Sequence, residues 1–269
     1  MDTTYCALDP SATESPLTGM AHESFITRGR VLLAGLSVLL IVAVTVVARS
    51  PPAVSAAHPI VIKFSHVVAP DTPKGLAARY FKQLVETRTQ GRVSVAVYPN
   101  SELYKDKEEL EALQLGSVQM VAPSLAKLGP LGIKEFELFD LPFLFDSYAS
   151  LHKVLDGPVG RELMEHFDGA GLRGLAFWDN GFKQMSADRP LRLPSDFQGL
   201  RMRIQSSEVL DTQMRALGAV PDEMALSDVR SALASGVVNG TENPASNFYT
   251  QDIYKVQPYL TLSDHGYLG

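Results

Sequence analysis

The chain has one cysteine among its 269 residues, and that cysteine, Cys6, lies close to the N-terminus. The rest of the chain therefore has no thiol from which to build a disulfide or a cysteine metal site. Six histidines are present, but no two are spaced by two or four residues and no H-E-x-x-H motif occurs. We therefore expect neither a bound metal nor a cofactor.

Recognisable catalytic motifs are also missing. There is no G-x-S-x-G elbow, no G-x-x-x-x-G-K-[ST] phosphate loop and no G-x-G-x-x-G after a predicted strand. The carboxylates show no paired spacing typical of acid–base catalysis. These absences favour a protein that is not an enzyme, and an enzyme acting on a carboxylic acid ranks as the third hypothesis.

Basic residues form no block away from the hydrophobic segment near the N-terminus, and the formal net charge is -6. The chain lacks the positive footprint of a DNA- or RNA-binding protein, so nucleic acid is excluded as a partner. Because the chain is acidic overall, an anionic ligand would need a local group of cations.

One long apolar run is present. Residues 31–48 carry no charge and follow Arg28 and Arg30, a pattern typical of an export signal. The small residues that follow, up to Ala56 and Ala57, predict a signal peptidase site. Residues 1–57 are therefore predicted to be a cleaved signal peptide or, if retained, an N-terminal membrane anchor, and both outcomes place the remainder outside the cytoplasm.

Strand and helix patterns alternate from residue 59, which predicts an α/β fold. Apolar residues alternate along 60–65 and 93–97, and between these strands they recur at helical spacing after Thr72 and Pro73, a predicted N-cap and first helical residue. Further elements are predicted as helices over 106–115 and 158–167, strands over 118–121 and 172–178, a buried connection over 139–145, a helix opening at Ser227, a strand near Val237 and a turn into Asn243.

The segment Leu200–Ser207 predicts a strand that leads into a helix. Leu200, Met202 and Ile204 alternate with Arg201 and Arg203, so one face is apolar and the other carries two guanidiniums. Ser206 or Ser207 is a candidate N-cap. In open α/β sheets, ligands bind beyond the carboxyl ends of strands, where helix N-termini attract anions. Arg203 lies at such a point.

Other cations and amides occupy predicted strand ends and helix starts. If they converge, they would form a trap for a carboxylate, and two or three charge-assisted hydrogen bonds could supply micromolar affinity. Read singly, each is better explained as a capping or solvated residue. The candidates for ligand binding are Arg203, Asn243, Lys183, Lys74, Ser124 and Asn247.

Several ordered motifs together resemble the extracytoplasmic substrate-binding subunits of tripartite ATP-independent periplasmic (TRAP) transporters, and among these the four-carbon dicarboxylate binders. The resemblance runs from about residue 60 to the end. The motifs are Phe64-Ser65-His66-Val67-Val68, Thr72-Pro73-Lys74-Gly75, Val97-Tyr98-Pro99-Asn100-Ser101, Ala122-Pro123-Ser124-Leu125, Asp140-Leu141-Pro142-Phe143-Leu144-Phe145, Arg203-Ile204-Gln205-Ser206-Ser207 and Glu242-Asn243.

The resemblance implies a two-lobe fold like that of type II periplasmic binding proteins, with lobe I at 58–180 and lobe II at 181–269, closing on a ligand. It implies that Arg203 pairs with a substrate carboxylate beside Asn243. Lys183 is implied as a second cation, and Lys74 and Ser124 as residues of lobe I that face the cleft. A periplasmic monomer that serves the membrane permease subunits of a TRAP transporter is expected.

The chain also departs from the family pattern. The family commonly has Asp-Gly-Gln-Glu-Asn where this chain has Asn239-Gly240-Thr241-Glu242-Asn243, and a phenylalanine where Leu226 stands. Relatives usually continue for about 60 residues beyond the position of Gly269, and these would recross between the lobes, so a C-terminal truncation is expected.

Two functions follow as hypotheses. The first is an exported receptor that captures succinate, malate or fumarate for a secondary transporter. The second is a sensory module in which the retained apolar run tethers the same binding lobes to the membrane and ligand-driven closure signals to a partner.

Overall fold

A computed structural model describes residues 59–269. The predicted leader and the apolar run at 31–48 lie outside these residues. Between residues 59 and 269, no helix combines the length and the hydropathy needed to cross a bilayer.

Helices and strands are interspersed along the described chain, as the apolar periodicity predicts for an α/β fold. In chain order they are β1 (Ile60–Ser65), α1 (Pro73–Arg88), β2 (Val93–Tyr98), α2 (Asp106–Gln114), β3 (Met120–Val121), α3 (Tyr148–Leu155), α4 (Pro158–Gly169), β4 (Gly181–Ala187), β5 (Arg201–Ile204), α5 (Glu208–Ala216), β6 (Val220–Glu223), α6 (Leu226–Ala234), β7 (Gly240–Pro244), α7 (Ala245–Thr250), β8 (Tyr259–Thr261) and β9 (Tyr267–Leu268). Short 3-10 helices include Leu125–Lys127, Gly129–Leu131 and Lys134–Asp140.

The first sheet is parallel and has the order β2-β1-β3; we call the part of the molecule built on it lobe I. The α1 helix makes the crossover from β1 to β2. Thr72 is its N-cap and accepts a hydrogen bond from the amide of Gly75, with Pro73 at the first helical position, as predicted. Phe136 and Phe139 of the 3-10 helix Lys134–Asp140 anchor that helix in an apolar cluster that is mostly from lobe I and also contains Tyr267 of β9.

The second sheet is mixed and has the order β6-β5-β7-β4-β8, with β9 also paired to β4; we call the part built on it lobe II. The β5 strand is parallel to β6 and β7, whereas β4 is antiparallel to β7 and β8. Met202 and Ile204 point into the core of this lobe with Leu210 and Met214 of α5. The predicted strand and helix around Arg203 are confirmed, and Ser207 is the N-cap of α5.

Three local predictions were wrong. Residues 172–178 form no strand, because their backbone groups join no ladder with another described strand. The predicted strand near Val237 starts at Gly240 instead, so Asn243 lies inside β7 and not in a turn. The segment 139–145 is only partly buried: Phe139 is in the core, but Phe143 is 71% exposed.

Candidate functional site

Arg203 is the central residue of the candidate site. It is 1% exposed at the end of β5, and its Nε donates to the carbonyl oxygen of Met224 at 2.8 Å. Within residues 59–269, its Nη1 has no hydrogen-bond partner and no carboxylate oxygen lies within 4.0 Å of the guanidinium. Burial lowers the pKa of Arg203, although three carboxylates led by Asp106 oppose that effect. A buried guanidinium with an open donor is suited to hold an anion.

The sheet register places Asn243 on the same face as Arg203. Arg203 is paired with Thr241 across β5 and β7, and Asn243 follows two residues later. Residues directly opposite in a ladder share a face, and so do residues two apart on one strand. Because β7 is a strand, it sets these side chains in line, which the predicted turn would not have done.

Asn243 belongs to a chain of buried amides. Asn180 Nδ2 donates to Asn247 Oδ1 at 3.0 Å, Asn247 Nδ2 donates to Asn243 Oδ1 at 3.2 Å, and Asn243 Nδ2 donates to Thr241 Oγ1 at 3.2 Å. Each amide nitrogen has a second N–H that these bonds do not use. The structure therefore brings the predicted residues Asn243 and Asn247 together and holds them in fixed orientations. Asn180 was not predicted, and only its place just before β4 could have indicated it.

Lys183 lies in a buried ion cluster. Its Nζ is 2.6 Å from Asp140 Oδ1 and 3.1 Å from Glu242 Oε2, and all three side chains are at most 1% exposed. In the register Lys183 is opposite Pro244, on the face that carries Glu242 and not Asn243. Although burial alone would raise the pKa of Glu242, Lys183 and then His265 lower it to about 2. The ammonium is thus already neutralised, and its predicted contact with a ligand stays a prediction.

Lys74 is held by main-chain oxygens. Its Nζ donates to the oxygens of Ala122, Pro123 and Gly269 at 3.2, 3.3 and 3.0 Å, which accounts for all three ammonium hydrogens. Burial, followed by the nearby Lys127 ammonium, lowers the pKa of Lys74 to about 7. At neutral pH the Lys74 side chain is therefore only partly charged and its hydrogens are engaged, so its predicted contact with a ligand stays a prediction.

Ser124 joins the two lobes. Its hydroxyl donates to Gln205 Oε1 at 2.6 Å, and both side chains are buried. Gln205 is two residues beyond Arg203, so this bond ties the end of β5 to lobe I. Gln205 was not predicted as a site residue; its place in the Arg203-Ile204-Gln205 motif is the sequence signal that could have indicated it.

A second group of buried charges, also not predicted, lies between the predicted residues of the two lobes. Lys127 Nζ pairs with Asp106 and is 3.6 Å from Glu109 Oε1. Asp106 Oδ2 accepts a 2.7 Å hydrogen bond from the amide of Leu226, at the start of α6 in lobe II. Burial raises the pKa of Glu109 to about 7 despite the opposing Lys127 charge. Of this group, Asp106 lies near enough to Arg203 to oppose the lowering of its pKa.

The part of the chain that the structure describes contains no group of three or more His, Cys, Asp or Glu side chains that could hold a metal ion. Buried ammonium groups beside the carboxylates of the site would also repel a cation. The arrangement offers charge and hydrogen-bond donors to an anion.

The model of the family "bacterial extracellular solute-binding protein, family 7" matches residues 64–269. The C4-dicarboxylate-binding periplasmic protein DctP of Rhodobacter capsulatus is 63% identical over 222 residues, which are 82% of this chain and 66% of that protein. The C4-dicarboxylate-binding protein DctB of Bacillus subtilis (strain 168) is 46% identical over 211 residues, or 78% of this chain and 60% of that protein. The chain spans less than two thirds of the length of these relatives.

Solved structures show the same fold. A TRAP periplasmic solute-binding protein from Sulfurospirillum deleyianum with bound succinate has a TM-score of 0.77 and 48% identity, covering 79% of this chain and 69% of that one. A TRAP periplasmic solute-binding protein from Pseudomonas aeruginosa PAO1 with bound L-malate has a TM-score of 0.75 and 48% identity, covering 78% of this chain and 73% of that one.

This chain belongs to family 7 of the bacterial extracellular solute-binding proteins. The resemblance to TRAP substrate-binding subunits is confirmed, and so is the predicted two-lobe α/β fold class.

Proposed function

We propose that this family 7 protein captures a four-carbon dicarboxylate outside the cytoplasm and delivers it to the membrane subunits of a TRAP transporter, without covalent chemistry. The observation that carries the proposal is the buried Arg203 guanidinium, whose Nη1 has no partner among the described residues. The names of the similar proteins, which bind C4-dicarboxylates, succinate or malate, support the choice of ligand.

Electrostatics favour an anion beside Arg203. A buried charge without a counter-ion is costly, and an incoming carboxylate would replace lost hydration with charge-assisted hydrogen bonds. The Arg203 Nη1 group and the spare N–H of Asn243 are available for the first carboxylate of the ligand. Each such bond contributes about 1.5–3 kcal/mol, so two or three with enclosure approach the ~8 kcal/mol of micromolar binding.

The second carboxylate would be attracted by the cations of lobe I. Lys74 supplies partial charge from behind its three main-chain contacts, and Asn247 offers a spare amide hydrogen, whereas Ser124 would have to give up its hydrogen bond to Gln205 to donate to the ligand. Lys183 remains a candidate that would have to exchange part of its interaction with Asp140 or Glu242. A diacid makes use of both groups of donors, whereas a monoacid uses one.

Burial of the site implies that binding requires movement. Arg203, Asn243, Asn247 and Lys74 are at most 2% exposed, so a ligand cannot reach them in this arrangement. The proposed lobes, at 58–180 and 181–269, must separate to admit the ligand and close to enclose it.

Family membership implies an exported, periplasmic protein, and we extend this to a monomer that docks on the permease subunits. The alternative, a sensory module tethered by residues 31–48, is less favoured by the names of the relatives. N-terminal sequencing of the exported protein distinguishes them, because a mature start near His58 excludes the tether.

Calorimetric titration with succinate and with butyrate tests the proposal. The two acids have the same carbon chain, but butyrate lacks one carboxylate. We expect micromolar binding of succinate and at least about 100-fold weaker binding of butyrate, from the loss of charge-assisted bonds. Absence of succinate binding, or equal affinity for both acids, would contradict a dicarboxylate receptor.

A further inference from the structure

Glu137 of lobe I reaches the N-terminus of α5 in lobe II. Its Oε2 accepts hydrogen bonds from the amides of Glu208 at 3.0 Å and Val209 at 3.3 Å, and from the Ser207 hydroxyl at 3.4 Å. The amides of Glu208 and Val209 are the first two of α5, and such amides have no hydrogen-bond partner inside the helix. Ser207 already caps the amide of Leu210, so Glu137 serves donors that the N-cap does not.

The carboxylate is held firmly on the side of lobe I. Its neighbours Phe136 and Phe139 are at most 1% exposed in an apolar cluster built mostly of lobe I residues, which also contains Tyr267 of β9. Gly129 leaves space for it, because a Cβ at position 129 would overlap Glu137 Oε1. The contact therefore joins a fixed point of lobe I to the helix that directly follows the Arg203 strand.

Little apolar packing accompanies this contact. The apolar cluster that contains Phe136 is separate from the one that contains Leu210 of α5. A cavity of about 410 Å³ lies beside the contact and is lined by Gly129, Glu137, Ser207 and Glu208 among others. An ion pair between the same 3-10 helix and α5, Lys134 with Glu208 at 2.8 Å, is exposed and contributes little.

We propose that Glu137 is a clasp: its bonds to the start of α5 form when the lobes close around a ligand and break when they open. This inference rests on the proposed function, in which closure completes binding. Because Arg203 is buried, the lobes must part for a ligand to enter, and contacts across the seam must then be lost. Glu137 is thus a positioning residue that sets how long the closed state lasts, without touching the ligand.

The test compares Glu137→Ala and Gly129→Ala with Glu135→Gln. The first removes the carboxylate, the second displaces it without changing any charge, and the third removes an exposed carboxylate from the same 3-10 helix. With succinate as the probe, we expect the first two variants to bind about tenfold more weakly. The change should be a faster dissociation rate, with the association rate unchanged. Glu135→Gln should match the wild type.

Stability without ligand separates a clasp from an ordinary structural contact. If the ligand-free protein is open, the melting temperature of Glu137→Ala without succinate stays at the wild-type value and only the succinate-induced rise shrinks. An equal loss of melting temperature with and without succinate, or unchanged affinity and dissociation rate, overturns the clasp.

Lobe separation can be measured independently of affinity. Spin labels at Leu115→Cys and Val237→Cys, two exposed positions on different lobes, report the distance in a Cys6→Ser background. Glu137→Ala should show a smaller fraction of short distances between the two labels than the wild type. If the wild type does not bind succinate, the dicarboxylate function fails, and these distances still decide the clasp: identical distributions in the wild type and both alanine variants, with and without succinate, overturn it.

Discussion

The Nε of Arg203 donates a 2.8 Å hydrogen bond to the carbonyl oxygen of Met224, and this contact fixes the plane of the guanidinium. Two residues later, the amide of Leu226 donates to Asp106 of lobe I. The loop 224–226 therefore links the direction of Arg203 to a contact between the lobes. If the lobes close on a ligand as proposed, closure is coupled to the orientation of the Arg203 guanidinium through these two bonds.

Lys183→Met should destabilise the protein even without ligand. The variant leaves Asp140 and Glu242 buried without their shared cation, and breaking a buried ion pair costs about 3–5 kcal/mol. Urea unfolding measures the change in the free energy of unfolding. Lys255→Met, which breaks the exposed pair with Asp252, is the control and should cost less than about 1 kcal/mol. Equal effects would contradict a structural role for Lys183.

Glu109→Gln should change how stability depends on pH. The pKa of Glu109 is raised to about 7 in the fold, so the folded protein retains this proton where the unfolded chain has lost it. The contribution of the protonated Glu109 carboxyl to the free energy of unfolding is present below about pH 4.5 and is lost as pH rises through about 7.

Relative to the wild type, Glu109→Gln should therefore gain stability between pH 5 and pH 8, by on the order of 1–3 kcal/mol. Urea unfolding at both pH values measures the difference. Parallel changes in the two proteins would show that Glu109 ionises normally in the fold.

Asn243→Asp should strongly weaken binding of the dicarboxylate. The variant puts a negative charge on the sheet face of Arg203 and removes the spare N–H, so affinity for succinate should fall by at least about 100-fold. Calorimetry measures this. Asn100→Asp places the same charge in an exposed turn of lobe I and should bind like the wild type. Retained affinity in Asn243→Asp would remove Asn243 from the site.

Local pattern was sufficient for some of this structure. The alternation from Leu200 to Ile204 predicted β5, the serines predicted a cap of α5 at Ser206 or Ser207, and threonine before proline predicted the cap at Thr72. Each is decided by residues within one or two turns, so the sequence contains the relevant interactions. The motifs of the resemblance predicted the family and the two-lobe class.

Long-range partners could not be predicted in this way. Lys183 meets Asp140 from 43 residues away, and Glu137 meets Val209 from 72 residues away. Nothing in the local pattern states which of many charges will pair, because the sheet order and the seam between the lobes decide it. The extended segment 172–178 illustrates the same limit, since strand formation needs a neighbour that periodicity does not supply.

The most direct test of the account is succinate calorimetry on Arg203→Ala beside Arg201→Ala. The two arginines share one strand, but Arg201 is exposed whereas Arg203 is buried with an open Nη1. We predict micromolar binding by the wild type and by Arg201→Ala, and at least about 100-fold weaker binding by Arg203→Ala. Wild-type affinity in Arg203→Ala would contradict the assignment of the anion site.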